Sequence, residues 1–152
     1  MKIEYLADRP EFVPILAVWH RREWGHFRSD ETVEMRAAKL IGWSGRGQVP
    51  SVMVAWEDET LLGSAMLVAH DMETRPQWSP WLAGVVVAPE HRRRGIGASL
   101  VKRVITEARA LGFPVLYLYT FSTEHYYSRL GWRFMERATY LGADVTVMSF
   151  EL

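Results

Sequence analysis

Arg92-Arg93-Arg94-Gly95-Ile96-Gly97 is the stretch that decides the fold. It follows the apolar run Trp81 to Val87 and opens the amphipathic run Ala98 to Leu111. A strand therefore enters a basic, glycine-bearing turn that becomes a helix. The first turn of a helix carries backbone N–H groups without intrahelical partners, at the positive end of the macrodipole. Glycines let a bulky anion approach that backbone closely. This arrangement suits the cradling of a pyrophosphate. By itself, a glycine pair at a helix start more often marks a plain strand–helix connection. The turn is not a Walker A loop, because no Gly-Lys-Ser/Thr follows. It also lacks the third glycine and the ribose-binding acid of a dinucleotide fingerprint.

Outward from this turn the chain alternates between strand and helix patterns. Pro80 opens the strand Trp81 to Val87, whose lack of alternation predicts burial on both faces. The helix after the turn presents Ile96, Leu100, Val101, Val104, Ile105 and Ala108 to a core, and Gly112 ends it. Pro114 to Thr120 is the next strand, and Ser122 or Thr123 caps a short helix through Arg129. Arg133 to Thr139 and Asp144 to Phe150 form a closing antiparallel pair that turns near Gly142. Toward the N-terminus, Ile3 to Leu6 reads as a first strand. Pro10 fits the opening turn of a helix that reaches about Glu23, with Phe12, Ile15, Leu16 and Trp19 at helical spacing. Ser29 or Asp30 is the expected N-cap of a second helix, with Val33, Ala37, Leu40 and Ile41 on one face. Ser51 to Glu57 and Leu61 to His70 are strands joined by the acidic turn Asp58-Glu59-Thr60.

Arg92-x-x-Gly95-x-Gly97 resembles the acetyl-CoA loop of the GNAT superfamily of N-acetyltransferases. Tyr126-Tyr127-Ser128-Arg129-Leu130-Gly131-Trp132 resembles that superfamily's aromatic-Tyr-x-x-x-Gly-aromatic signature. It lies one strand and one turn after the loop helix, and the chain is similar to small single-domain bacterial members. The resemblance implies an α/β (α+β) fold in the order β-α-α-β-β-β-α-β-α-β-β. Its sheet would be mixed and mostly antiparallel, with helices on both faces. The two middle strands, Trp81–Val87 and Val115–Thr120, would splay apart to admit the pantetheine arm of the cofactor. Acetyl-CoA is the implied co-substrate, with no metal. Backbone N–H groups of Arg94, Gly95, Ile96 and Gly97, with Ala98 next in the same turn, would face its pyrophosphate, and Arg92 would contribute charge. Backbone groups of Val85, Val86 and Val87 would place the thioester. Tyr127 stands at the general-acid position, and Tyr126 falls on an apolar one.

The attacking amine must also lose a proton, and Trp81 to Val87 contains no carboxylate. In the implied fold His20, Glu23 and His26 line the acceptor side, and His70 and Asp71 end the third strand beside the same cleft. The expected route is water relayed to His26 or Asp71. Seven tryptophans are unusual here, and core packing is their commoner use. Trp19, Trp24 and Trp43 are the candidates for the cleft, with Trp24 and His26 expected to touch the acceptor. The segment Trp19 to His26 suits a small amine bearing an acidic or aromatic group; equally, it suits a helix with a solvated basic face.

The totals narrow the remaining classes. The chain of 152 residues fits one domain, 1–152, at 49% hydrophobic and 24% charged content. A formal net charge of zero argues against a nucleic-acid surface. No apolar stretch approaches the roughly 20 residues of a membrane span. Met1-Lys2 leads into a strand pattern and not a signal peptide. The absence of cysteine fits a cytoplasmic protein and removes a thiol nucleophile. The five histidines show no HExxH pairing, and there is no Gly-x-Ser-x-Gly elbow. The expectation is an acetyl-CoA-dependent N-acetyltransferase acting on a primary amine of a small molecule or peptide. A non-catalytic acyl-CoA-binding or regulatory domain is the alternative, and a homodimer is left open.

Overall fold

The computed structural model describes residues 1–152. One sheet runs in the order β1-β2-β3-β4-β5-β7-β6. β1 (Lys2–Tyr5), β2 (Ser51–Glu57), β3 (Thr60–Val68) and β4 (Trp81–Val87) are successive antiparallel neighbours. β4 runs parallel to β5 (Val115–Thr120). β7 (Ala143–Glu151) then inserts antiparallel between β5 and β6 (Arg133–Tyr140). Helices α1 (Val13–Trp24) and α2 (Val33–Trp43) cover one face over a core that includes Leu16, Leu40, Val54 and Trp81. Helix α3 (Ile96–Ala110) covers the other face over Leu62, Leu100, Val104 and Leu116, joined by Tyr127 of α4 (Glu124–Arg129). This is the expected mixed, mostly antiparallel α/β architecture, with its elements in the expected order.

Local chemistry explains both the agreements and the shifts. α3 buries Ile96, Leu100, Val101, Val104, Ile105 and Ala108, the face its spacing predicts. Gly112, at φ +84°, supplies the left-handed conformation after its last turn. The first helix begins later than expected, because Pro10–Phe12 is a separate 3-10 turn. Its buried positions are Val13, Leu16, Ala17 and His20, while Ile15 is 43% exposed. On α2, Leu40 is buried and Ile41 is 65% exposed, so that face is also rotated from the expected one. Thr32, not Ser29 or Asp30, caps α2, its Oγ1 accepting from the Met35 N–H at 3.1 Å. The Glu31 N–H bonds back to the Arg28 carbonyl, closing Ser29 and Asp30 into a turn before the helix. β3 ends at Val68, where its pairing with β4 stops at Trp81, so His70 lies beyond the strand.

The feature that shapes the molecule lies between β4 and β5. Their only paired residues are Trp81 and Tyr117. Beyond that pair the two parallel strands diverge and leave facing edges without partners. β4 carries a bulge at the same level, since Ser64 faces Val86 whereas Met66 faces Ala83. Gly84 is the bulged residue at φ +58°, and the Ser64 hydroxyl donates to its carbonyl at 3.1 Å. A Cβ on Gly84 would lie 2.9 Å from the Met66 methyl carbon. The burial predicted for Trp81–Val87 accordingly holds for Trp81 to Ala83 and loosens at Gly84 and Val85. Gly84→Ala meets both the left-handed backbone and Met66. It should lower stability by about 1–3 kcal/mol, read as a lower urea midpoint. An unchanged midpoint would show that the bulge tolerates a side chain.

Candidate active site

The turn into α3 builds a concave array of donors. Arg93 at φ +65° and Gly95 at φ +77° reverse the chain in the left-handed region. Glycine adopts this conformation without strain, which is its use at the N-cap here. The backbone N–H groups of Arg93, Arg94, Gly95, Ile96, Gly97 and Ala98 have no acceptor within the chain; the first helical bond is Ser99 N–H to the Gly95 carbonyl. A Cβ on Gly97 would lie 3.0 Å from the Tyr126 hydroxyl. The arginine side chains are turned aside. Arg92 donates from Nε to the Val87 carbonyl at 3.1 Å and pairs with Glu23 at 3.4 Å. Arg94 pairs with Glu57 at 3.0 Å. The positive character facing the turn therefore comes chiefly from backbone N–H groups and the helix dipole.

Beside this turn the parting of β4 and β5 opens a cleft of about 640 Å³. Its walls take Ala83, Gly84 and Val85 from β4 and Leu118, Tyr119 and Thr120 from β5. Tyr127 lines it from α4 and is 8% exposed. Its ring packs edge-on to Tyr126 at 5.1 Å and to Trp132 at 6.1 Å. Burial raises the Tyr127 hydroxyl above the ordinary tyrosine range, and Tyr126 adds to the shift. The hydroxyl is thus protonated throughout the neutral range. Tyr126 does not line the cleft; it points toward Gly97.

The same cleft gathers the acid–base groups. His20, Glu23, His26, His70 and Asp71 all line it, as do Trp24 and Trp43. Trp19 packs on the core and lies outside the lining. Asp71 is half-buried, and that burial pushes its carboxyl up to about 7, against the pull of Arg28 and Arg36. Tyr119 is raised by its own burial and by Asp71 and Tyr140 nearby. His26 is exposed, its ring resting on Phe27 at 3.9 Å. His20 is 1% exposed, neither ring nitrogen has a partner, and burial lowers its pKa to about 3. Its imidazole is neutral and meets Trp24 edge-on at 5.2 Å.

Several lining residues carried no warning in the sequence. Arg28, Arg36 and Lys39 reach the cleft from the turn before α2 and from α2 itself. Arg36 and Lys39 converge on the buried Glu31, each at 2.5 Å. No local pattern announces such a cluster, because its members meet only when α1 and α2 fold over the sheet. Tyr119 and Phe121 had a signal. The alternation Leu116, Tyr117, Leu118, Tyr119 along β5 puts the tyrosines on the face opposite the leucines. No group of three or more His, Cys, Asp or Glu side chains converges to hold a metal ion.

The profile of the acetyltransferase (GNAT) family matches residues 13–132. Among solved structures, an aminoglycoside 6'-N-acetyltransferase complexed with coenzyme A superposes at a TM-score of 0.77, with 16% identity over 99% of this chain and 97% of that one. A ribosomal-protein-alanine N-acetyltransferase from Brucella melitensis gives a TM-score of 0.77 and 20% identity, each chain covered at 100%. A GNAT family acetyltransferase from Elizabethkingia anophelis with acetyl-CoA bound gives 0.56 at 19% identity, over 76% of this chain and 80% of that one. No curated protein matches the chain in sequence. At these identities the superpositions establish a common fold, and the family profile reaches from α1 to the end of the tyrosine signature: this chain belongs to the acetyltransferase (GNAT) family.

Proposed function

We propose that this chain is an acetyl-CoA-dependent N-acetyltransferase, a single domain over residues 1–152, that acetylates a primary amine on a small molecule or peptide. The observation that carries this reading is the run of unpartnered N–H groups at Arg93–Ala98, opening beside a cleft that holds Tyr127 and Asp71. That run fits a pyrophosphate in charge, and the space before Gly95 is open. Two of the enzymes sharing this fold were solved with coenzyme A or acetyl-CoA.

Acetyl-CoA supplies the acetyl group as an activated thioester. N–H groups of Arg94, Gly95, Ile96, Gly97 and Ala98 bind the pyrophosphate, with Arg92 adding long-range charge from its place between Val87 and Glu23. The open edge of β4 at Val85, Val86 and Val87 offers backbone groups to hold the extended arm as an added strand would be held. An N–H there polarises the thioester carbonyl as negative charge develops on its oxygen. The amine nitrogen bonds to the carbonyl carbon and the carbon–sulfur bond breaks. Tyr127 hydrogen-bonds the departing sulfur and gives it a proton, and the proton released from the amine, returned through water, restores the phenol. The proton leaving the amine goes to Asp71, directly or through water, and His26 at the rim passes protons to solvent. Trp24 forms part of the wall against which the acceptor lies.

Three experiments test these assignments. Gly97→Trp drives a ring against the Tyr126 hydroxyl, 3.0 Å from the Cβ position, and so distorts the turn that carries the N–H groups. Calorimetry should show acetyl-CoA binding abolished in a variant that still folds; equal affinity would sink the cradle. Tyr127→Phe should lower kcat by about 10²-fold with little change in acetyl-CoA affinity, whereas Tyr126→Phe stays near the parent rate. Indistinguishable rates for the pair would reduce Tyr127 to packing, and cofactor binding without turnover of any amine would point to a non-catalytic domain. Asp71 must be ionised to accept a proton, and its raised pKa means that this form grows as pH increases through about 7. kcat/KM should therefore rise through that value, and Asp71→Asn should remove the inflection and cost about 10²-fold. A flat profile from about pH 6 to 9 would exclude Asp71 as the base.

A further inference from the structure

Pairing of charges leaves one cation of the cleft wall uncommitted. Arg36 and Lys39 are held by Glu31, and Glu23 is held by Arg92. Arg28 is half-buried, lines the cleft and has no carboxylate within ion-pair distance. It follows the 3-10 turn Gly25–Phe27. Phe27 is clamped there by a parallel stack on Phe121, with centroids 4.6 Å apart and planes 5° apart. That stack ties the turn to the end of β5 and fixes where the Arg28 chain departs. Two carboxylates of the cleft are also unpaired, the exposed Glu73 and the half-buried Asp71, and Asp71 is the desolvated one. It too lacks an ion-pair partner, and it lines the same cleft as Arg28. A third group in the same wall, His20, is buried with both ring nitrogens unbonded. Half-desolvated charges and buried polar atoms without partners are costly in the free protein, and a ligand that satisfies them recovers that cost.

We propose that the acceptor is a small zwitterion, an amine whose neighbouring carbon bears a carboxylate or phosphonate, with Arg28 gripping the acid group and Asp71 the ammonium. A guanidinium matches either anion through paired N–H donors. The aromatic wall of Trp24, Phe27, Tyr119 and Phe121 takes an apolar or aromatic side chain. This inference rests on the acetyl-transfer reading above and narrows it. A polyamine or other polycation would place a second positive charge against Arg28. A peptide N-terminus carries the ammonium but has an uncharged amide where the acid would be. Acetylation also removes the ammonium charge, so Asp71 ceases to attract the product.

The test measures CoA release with matched amines that differ only in the acid group. L-phenylalanine is compared with phenylethylamine, and L-leucine with isoamylamine. The aminophosphonate analogue of phenylalanine separates the two anion sources, and phenylalanine amide and spermidine represent peptide-like and polycationic acceptors. At least one amino acid or aminophosphonate should exceed its acid-free partner in kcat/KM by about 10- to 100-fold, the scale of a charge-assisted bond. Arg28→Gln should reduce that ratio by a similar factor, and Arg28→Lys should keep part of it. The ratio is the readout because any change that Arg28 transmits to Asp71 affects both amines alike. A ratio near one, a ratio unmoved by Arg28→Gln, or spermidine turning over faster than every zwitterion would overturn the inference. So would acetyl-CoA binding accompanied by turnover of acid-free amines alone, or by no turnover, and in the former case the acetyl-transfer reading would survive. Absence of acetyl-CoA binding would sink both.

Discussion

The two halves of the sheet are joined by one backbone pair, Trp81 with Tyr117. The cleft depends on the junction holding there and failing everywhere else. Trp81 is 0% exposed, and its indole N–H donates to the Trp78 carbonyl at 2.6 Å. Trp78 stacks on Tyr117 at 5.5 Å, and the Tyr117 N–H reaches the Pro80 carbonyl at 3.1 Å. An aromatic knot thus replaces the hydrogen-bond ladder that parallel strands would otherwise share. Parallel strands have evenly spaced bonds along their length, so a ladder that stops after one pair leaves two polar edges bare. Such edges can be satisfied by an extended molecule laid between them, in the manner of an added strand.

The bulge at Gly84 and the tight chain reversal at Gly95 serve the same junction from opposite sides. Gly84 turns β4 outward at the level where β5 departs. Gly95 starts α3 so that its first N–H groups open beside the cleft. Both positions need positive φ, which glycine supplies at little cost. Between them the fold places a tyrosine hydroxyl whose proton burial retains, and a carboxyl whose ionisation burial moves into the neutral range. A single physical cause, removal from water, favours the neutral form of both groups.

The cost of this arrangement is visible in the core beneath α1. His20 occupies a position that spacing assigns to an apolar residue, and it lies there neutral and without a hydrogen bond. Glu31 is buried and is held by both Arg36 and Lys39. Polar groups of this kind weaken a core and define the shape and charge of its cavity.

Short-range signals made most of the fold legible. Helical spacing marked the buried face of α3, apolar runs marked β2 and β4, and the glycine turn and tyrosine signature stood at readable distances from each other. The faces of α1 and α2 were less legible, since Ile15 and Ile41 fit the pattern but face solvent. Which face is buried depends on what the helix packs against, and the choice of Thr32 as cap followed from the turn that Glu31 closes on Arg28. Of the cleft, the family resemblance pointed to Tyr127, His20, Glu23, His26, His70 and Asp71 as candidates, and all six line it. Only the tertiary structure brought Arg28 and Asp71 into one cleft, set Arg36 and Lys39 on Glu31, and turned the Arg92 and Arg94 side chains onto Glu23 and Glu57. Periodicity and turn chemistry act over a few residues and are written in order along the chain. Charge pairing and desolvation act through space between residues far apart in sequence, so they are decided when the chain closes on itself.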